Sequence, residues 1–151
     1  MKIAVLGGGG AMGGLFGGYL ARAGNDVTLL DVNTDAVAAI NASGLTIEEK
    51  DGLQTQVSVR ASDDARSVGT VDLIINFVKC YHTGSAVESA MPMVGADTVF
   101  LSLQNGWGNA DRIAGIAGRQ RVLVGLTYHS ATLLAPGRVK HPGSGITHMG
   151  E

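Results

Sequence analysis

The chain has 151 residues, of which 45% are hydrophobic and 16% are charged, and its formal net charge is −2. This length predicts one domain, and the composition is too apolar for a disordered chain. The near-neutral charge and an aromatic content of 5% argue against a nucleic-acid-binding protein. The single cysteine, Cys80, rules out an internal disulfide framework and favours a cytoplasmic setting, where we expect a buried structural thiol. No apolar run approaches the ~20 residues that span a membrane, and the histidine spacing argues against a metal site.

The first 45 residues alternate between strand and helix. An apolar strand, a glycine-rich turn and a helix are followed by a second buried strand and a second helix, which Asn33 or Thr34 can cap. The four elements are predicted at Lys2–Leu6, Ala11–Ala23, Val27–Leu30 and Asp35–Asn41. This order is typical of a parallel sheet with helical crossovers.

The rest of the chain first interrupts this alternation with a hairpin around Asp51-Gly52 and then resumes it. Further strands are predicted at Leu45–Glu48, Gln54–Val59, Val71–Val78, Thr98–Ser102 and Val122–Thr127, and helices at Asp63–Ser67, Ser85–Met93 and Ala110–Ala117. The last segment predicts antiparallel hairpins with turns at Pro136-Gly137 and Pro142-Gly143. The whole order predicts an α/β fold of the Rossmann type, a doubly wound and mainly parallel sheet with antiparallel hairpin additions.

Glycine fills the turn after the first strand, where the sequence reads VLGGGGAMGGLFGG. A strand that leads directly into a helix presents free N–H groups and the positive end of the helix dipole to a pyrophosphate, provided that no side chain intervenes. The fingerprint G-x-G-x-x-G serves this purpose. A full match covers Gly8, Gly9, Gly10, Ala11, Met12 and Gly13. This loop, between a strand and a helix, predicts a dinucleotide site, and the alternative is a glycine-rich packing turn.

The register of the loop has to be chosen, because four glycines follow one another. A start at Gly7 fails at the third glycine, and a start at Gly9 gives a weaker variant that ends at Gly14. With the start at Gly8, Gly7 is turn material. We therefore expect Gly10→Val to abolish cofactor binding and Gly7→Ala to have a milder effect.

Asp31 closes the second strand, 18 residues after Gly13. A carboxylate at about this distance accepts hydrogen bonds from the ribose hydroxyls of NAD and repels the 2′-phosphate of NADP. Neither Val32 nor Asn33 supplies a cation for such a phosphate. The sequence thus predicts an NAD(P)H site that prefers NAD(H). The alternative is an aspartate that only ends the strand or caps a helix.

Three later segments narrow the choice among dehydrogenases. NFVKCYHT places Lys79 after the long buried strand, LSLQNGWGN places Asn105 after the next strand, and GLTYHSATLLAPGRVKHPGSGITHMG closes the chain. Together with MKIAVLGGGGAMG, these segments resemble the N-terminal, nucleotide-binding domain of the 2-dehydropantoate 2-reductase (ketopantoate reductase) family over essentially the whole chain.

The resemblance implies an oxidoreductase that transfers hydride from NAD(P)H to a small 2-keto acid, from ketopantoate to pantoate in pantothenate biosynthesis. It implies that Gly8 to Gly13 form the phosphate loop and that Lys79 is a pocket lysine beside the nicotinamide. It further implies that Asn105 touches both cofactor and substrate, and that Ala131 lies in a turn that lines the cofactor. Lys79 and Asn105 are thus the candidate catalytic residues. His129 is a weaker alternative as proton donor.

The sequence departs from the family in three ways. The loop has an additional glycine, and Val32 stands where relatives that use NADPH carry a basic residue. The family's proteins are about twice as long, and a helical C-terminal domain supplies a general-acid lysine and a glutamate. We therefore expect residues 1–151 alone to bind dinucleotide without turnover, and an apolar face to favour a homodimer or the missing domain. A stand-alone NAD-binding sensor and another type of two-domain dehydrogenase remain alternatives.

Overall fold

The computed structural model describes residues 1–150 and confirms the predicted fold class. Glu151, the last residue of the predicted domain, lies outside the described residues. The helices are α1 (Ala11–Arg22), α2 (Thr34–Ser43), α3 (Thr83–Ala90) and α4 (Asn109–Ala117). The strands are β1 (Lys2–Leu6), β2 (Asp26–Leu30), β3 (Leu45–Glu49), β4 (Gln54–Val57), β5 (Arg60–Ser62), β6 (Val71–Asn76), β7 (Val94–Ser102), β8 (Val122–Thr127), β9 (Ser130–Ala135), β10 (Arg138–Gly143) and β11 (Thr147–Gly150).

Seven strands form the main sheet, in the order β11-β8-β7-β6-β1-β2-β5. All neighbouring strands are parallel except β8 and β11. The strand order reverses at β1, because the chain first moves to β2 on one side and later returns to β6 on the other. Open parallel sheets bind ligands at such a reversal, outside the carboxyl ends of the strands. The ends of β1, β2 and β6 therefore mark the place where a site is expected.

Both faces of the main sheet are covered by apolar layers. On one face, α1 packs between the main sheet and the second sheet, and the buried side chains there include Val5, Leu15, Leu29, Ile47 and Val139. On the other face, α3 and α4 pack on the sheet, and the core there includes Leu6, Ile74, Val87, Phe100 and Ile113. Within residues 1–150, no helix combines the length and apolar character needed to cross a membrane.

The glycines of α1 let this helix approach both sheets closely. A Cβ added to Gly17 would collide with Leu29 of the main sheet, and one added to Gly18 would lie 2.7 Å from Leu45 of the second sheet. Glycine is a poor helix former, so its use here reflects the space available rather than local propensity. The closely packed α1 brings its first turn directly beneath the end of β1.

The predicted hairpin is present but forms a second sheet rather than an addition to the main one. Its strand order is β4-β3-β10-β9, with β3 and β10 parallel and the outer pairs antiparallel. The turn at Pro136-Gly137 joins β9 to β10 as predicted, and Gly137 has the positive φ of 73° that such a turn requires.

One prediction about the strands was wrong, and one strand was missed. Pro142-Gly143 is not a turn but the end of β10, and the chain then crosses to the main sheet, where β11 pairs with β8. Strand β5 was not predicted. It adds to β2 and is held by Asn41 of α2, whose amide donates to Ala61 O (2.8 Å) and accepts from Ala61 N (2.9 Å).

Candidate functional site

A cleft of about 470 Å³ opens where β1, β2 and β6 end. Its walls are the glycine-rich turn, the segments that follow β2 and β6, and the exposed side of α3. The lining residues with polar groups or bare backbone are Gly7, Gly10, Asp31, Asp63, Lys79, His82, Ser85 and Ser89. Three of the predicted site residues, Gly10, Asp31 and Lys79, thus share one cleft at the predicted edge of the sheet.

The turn after β1 is fixed by backbone hydrogen bonds. The N–H groups of Gly7 and Gly8 both donate to Leu30 O at 2.9 Å, and Gly10 N donates to Gly7 O at 3.1 Å. Gly7 has a φ of 76°, in the left-handed region that only glycine adopts easily. Helix α1 starts at Ala11 with Gly10 as N-cap, so the chain turns from strand to helix within four residues.

The space around each glycine shows which positions need one. A Cβ on Gly13 would collide with Gly7 O, so close contact between helix and turn requires Gly13. A Cβ on Gly10 would meet only Gly7 O, at 3.2 Å, and Gly10 otherwise faces the cleft. Gly8 is buried, and its added Cβ would lie 2.6 Å from Leu29 Cβ.

The tight turn itself falls on Gly7, while Gly8 packs on β2. The left-handed backbone of Gly7 means that Gly7→Ala strains the turn, because a Cβ is unfavourable at that φ whatever the free space. That Gly7→Ala affects cofactor binding less than Gly10→Val stays a prediction.

Asp31 connects the end of β2 to the glycine-rich turn. Its Oδ2 accepts from Gly9 N at 2.9 Å, and its Oδ1 accepts from Asn33 N at 3.0 Å. The cap of α2 is Asn33, whose Oδ1 accepts from Asp35 N and Ala36 N. Helix capping, one of the two alternative roles for Asp31, thus belongs to Asn33. The bonds from Gly9 N and Asn33 N fit the other alternative, an aspartate that ends the strand. Asp31 is half-buried and lines the cleft, and a carboxylate with two hydrogen bonds can accept more.

A second carboxylate, that of Asp63, lines the same cleft. Asp63 was not predicted as a site residue because it follows β5, which was not predicted either. Val32 is 94% exposed, and neither Val32 nor Asn33 brings a cation to this end of the cleft. Lys79 is the only lysine or arginine of the described residues that lines the cleft.

Lys79 lies where the chain leaves β6. Strand β6 ends at Asn76, two residues earlier than predicted, and Lys79 precedes a 3₁₀ turn over Cys80–His82, with His82 N donating to Lys79 O at 2.8 Å. The lysine is exposed and can reach a ligand in the cleft. Cys80 is also exposed, so the prediction of a buried thiol was wrong. The reason is that the turn carries this segment out of the sheet.

Asn105 and Ala131 do not line this cleft within the described part of the chain. Asn105 lies in the exposed turn after β7, in which Gly106 and Gly108 have φ values of 95° and 79°. Strand β7 is two strands from β1, about 10 Å along the sheet. Ala131 is the second residue of β9, not part of a turn, and packs half-buried against the core beside α1.

A cluster of titratable side chains lies on the other side of α1. Tyr19 Oη is 2.9 Å from Glu49 Oε1 and 2.6 Å from His141 Nδ1, and His141 Nε2 is 3.1 Å from His129 Nδ1. Burial, followed by the hydrogen bond and the charge of Glu49, raises the pKa of Tyr19 to about 12. No group of three potential ligands in residues 1–150 is arranged to hold a metal ion.

Comparison with known proteins agrees with this geometry. The family model "Ketopantoate reductase PanE/ApbA" matches residues 3–151. The 2-dehydropantoate 2-reductase of Pyrococcus horikoshii is 42% identical over 150 residues, which is 99% of this chain and 47% of that protein. The corresponding enzyme of Halobacterium salinarum is 36% identical over 97% of this chain and 48% of that protein. The chain thus spans about half the length of these relatives.

Solved structures give the same result. The putative 2-dehydropantoate 2-reductase of Enterococcus faecalis superposes with a TM-score of 0.90 at 34% identity, over 99% of this chain and 48% of that one. A ternary structure of D-mandelate dehydrogenase with NADH and anilino(oxo)acetate superposes with a TM-score of 0.91 at 33% identity, over 99% and 48%. The fold, the glycine-rich turn and the sequence match lead to one conclusion: the chain belongs to the ketopantoate reductase family.

Proposed function

We propose that the chain is the NAD(P)-binding domain of an oxidoreductase that reduces a small 2-keto acid, with ketopantoate as the substrate that the family suggests. The observation that carries this proposal is the bare Cα of Gly10, which faces the cleft at the start of α1. The cytoplasmic setting expected from the single cysteine is part of the same proposal.

The start of α1 is suited to an anion. The first N–H groups of any α-helix have no partner within the helix. In the described residues, no side chain caps α1 and no acidic residue occupies its first turn. The N–H groups and the positive end of the dipole are therefore available to a ligand, and a pyrophosphate satisfies both. In this proposal Gly8 to Gly13 form the phosphate loop.

The direction of the dinucleotide follows from Asp31. We place the adenosine ribose at Asp31, because a carboxylate at the end of β2 accepts from the two ribose hydroxyls. The nicotinamide half then extends in the opposite direction, toward β6 and β7 and thus toward Asn105. Lys79 lies between the two ends of this path, where its ammonium group supports a phosphate or the developing charge of the reaction.

When bound, the nicotinamide supplies the hydride, and the residues of this chain bind and orient it. The Asn105 amide can donate one hydrogen bond and accept another, which suits a contact with both the carboxamide and the substrate oxygen. Lys79 and Asn105 are the catalytic candidates. Ala131 stays a candidate through its backbone only, because its methyl group packs against the core.

The same site leads us to propose a preference for NAD(H). Two carboxylates, Asp31 and Asp63, line the cleft where a 2′-phosphate would lie, and residues 32 and 33 bring no cation to it. Calorimetric titration with NADH and NADPH at one fixed ionic strength tests this. We expect NADH to bind at least ~10-fold more tightly, since like charges at short range cost more than about 1.4 kcal/mol in a partly buried site. Tighter binding of NADPH would contradict the preference, and no binding of either would contradict the whole proposal.

A further inference from the structure

A buried polar layer lies beneath the two loops that carry Lys79 and Asn105. It occupies the face of the main sheet that α3 and α4 cover. Four of its side chains are at least 94% buried: Asn76 and Thr83 are 0% exposed, Ser102 is 4% and Asn109 is 6%. The fifth, Gln104, is half-buried. We call these five side chains the loop network.

Gln104 connects the loop after β7 to the loop after β6. Its Nε2 donates to Val78 O at 2.6 Å and to Thr83 Oγ1 at 2.9 Å, and its Oε1 accepts from Ser102 Oγ at 3.1 Å. Val78 N donates to Asn76 Oδ1 at 3.3 Å. Both backbone groups of Val78, the residue before Lys79, are therefore held by side chains of the network.

The chain of hydrogen bonds continues from Thr83 to Asn105. The Thr83 hydroxyl donates to Asn109 Oδ1 at 3.0 Å, and Asn109 Nδ2 donates to Asn105 O at 3.1 Å. Since Thr83 has one proton and gives it to Asn109, its bond with Gln104 has Gln104 as donor. The direction of each bond in the series is thus determined. The series runs without interruption from the carbonyl before Lys79 to the carbonyl of Asn105.

Such a layer costs stability wherever a buried group stays unpaired, as Asn76 Nδ2 does in the described residues, and apolar side chains of similar size would fill the same space without that cost. The groups that the network binds explain why a polar layer is present, whereas a gain in stability does not. The network ends on two backbone carbonyls, Val78 O and Asn105 O, in the loops that we assign to the nicotinamide half of the site. Among the described residues, its five side chains make no hydrogen bond to the glycine-rich turn or to Asp31, which belong to the adenosine half.

We propose that the loop network is a positioning device that holds the Lys79 and Asn105 loops at one fixed separation along the edge of the sheet. Thr83, Gln104 and Asn109 act through these loops and touch neither cofactor nor substrate. The inference rests on the proposed function, because it assumes that the nicotinamide half of a dinucleotide lies over these loops. It predicts that a break in the network weakens binding of the nicotinamide half and leaves binding of the adenosine half unchanged.

The test compares two threonine variants of the 151-residue chain. Thr83→Val removes the hydroxyl that joins Gln104 to Asn109 and keeps the shape of the side chain. Thr98→Val is the matched control: Thr98 is 2% exposed and bonds Val71 O at 2.6 Å and Gly95 N at 2.8 Å, near the amino ends of β6 and β7. Both variants lose a buried hydroxyl, one at the start of α3 and one on β7, but only Thr83 lies beneath the loops.

The affinities for NADH and for ADP-ribose, which lacks the nicotinamide, are measured beside the thermal midpoint. We expect the thermal midpoints of both variants to fall by similar amounts. We expect only Thr83→Val to lower the affinity for NADH, by roughly tenfold, because the buried acceptor Asn109 Oδ1 loses its donor. The affinity for ADP-ribose should change by less than about twofold in either variant. Thr83→Ser, which restores the hydroxyl, should recover NADH binding.

Each other outcome has a defined meaning. Equal weakening of NADH in both threonine variants, or equal weakening of NADH and ADP-ribose in Thr83→Val, would overturn the positioning role. If the unaltered chain bound neither ligand, the proposed function would fail instead. Should Thr83→Val not fold, Ser102→Ala removes only the bond to Gln104 Oε1 and should give the same selective loss at smaller size, and unchanged NADH binding in that variant would count against the proposal.

Discussion

Gly10 and Gly7 lack a side chain for different reasons. Gly10 has an ordinary φ of −82° and faces the cleft, so its hydrogen leaves room for a ligand. Gly7 has a φ of 76° and lines the same cleft, so its hydrogen permits the turn. A substitution at Gly10 should therefore affect binding, and one at Gly7 should affect folding first.

We predict that Gly10→Val lowers the affinity for NADH by at least ~100-fold. The valine would lie where the pyrophosphate meets the start of α1, and two charge-assisted hydrogen bonds of about 1.5 kcal/mol each would be lost. Calorimetry with NADH measures the affinity, and Gly115→Val is a matched control because nothing lies within 4 Å of its added Cβ. Gly7→Ala should instead lower the free energy of unfolding by about 1–2 kcal/mol, measured by urea denaturation. Wild-type NADH affinity in Gly10→Val would refute the proposed phosphate loop.

At the scale of elements, the sequence predicted a helix, strand or turn correctly where the residues of that element alone carry a recognisable pattern. The apolar strand β1, the glycine-rich turn and the Asn33 cap are local features, and the structure has all three. Strand β5 has three residues, too few for any periodicity, and depends on Asn41 and β2 for its hydrogen bonds. Such a strand cannot be predicted from its own residues.

The Pro142-Gly143 error has a similar origin. Proline and glycine usually mark a turn, but here the pair ends β10, and the change of direction comes afterwards, when the chain crosses from the second sheet to β8. The choice between a local hairpin and a distant partner depends on tertiary packing. The cleft shows the same division: Asp31 and Lys79, which line it, were predicted from their place after strands, whereas Asp63 depended on a strand that was missed.

The contact between α1 and the second sheet carries a prediction about pH. Tyr19 of α1 bonds Glu49 of β3, and burial with Glu49 raises the pKa of Tyr19 from 10.0 to about 12. The folded state thus holds this proton more tightly than the unfolded state. The resulting stabilisation is complete below pH 10 and is lost as the pH rises from 10 to about 12.

We therefore expect the free energy of unfolding to fall more steeply with pH in this window for the unaltered chain than for Tyr19→Phe. Urea denaturation at several alkaline pH values measures both slopes, and tyrosinate absorbance gives the pKa of Tyr19 from the difference between the two proteins. Parallel slopes would show that Tyr19 does not contribute to alkaline unfolding.

At the scale of the whole molecule, exposed apolar side chains concentrate at one end of the main sheet and on the neighbouring β9. They are Trp107, Val124, Leu126, Tyr128, Leu133, Leu134, Ile146 and Met149. A large exposed apolar surface is typical of a contact with another protein surface. We propose that these side chains form the apolar face expected from the sequence, which a second copy of the chain or a further domain would cover.

We predict that the 151-residue chain binds NADH but does not turn over ketopantoate. The resemblance to the family implies that the proton donor comes from the other half of the relatives, and hydride transfer to a ketone needs a proton for the alkoxide. Loss of NADH absorbance in the presence of ketopantoate measures turnover, with the full-length relative from Pyrococcus horikoshii as positive control. Turnover by this chain at a rate near that of the control would mean that its own residues supply the proton.

The exposed position of Cys80 has a practical consequence. It is the only thiol in the sequence, and it lies between Lys79 and His82, which both line the cleft. A thiol-reactive fluorophore or spin label would therefore attach at one position, next in sequence to the cleft residue Lys79, without any engineered cysteine. The chain already contains a specific attachment point from which ligand occupancy can be followed optically or magnetically.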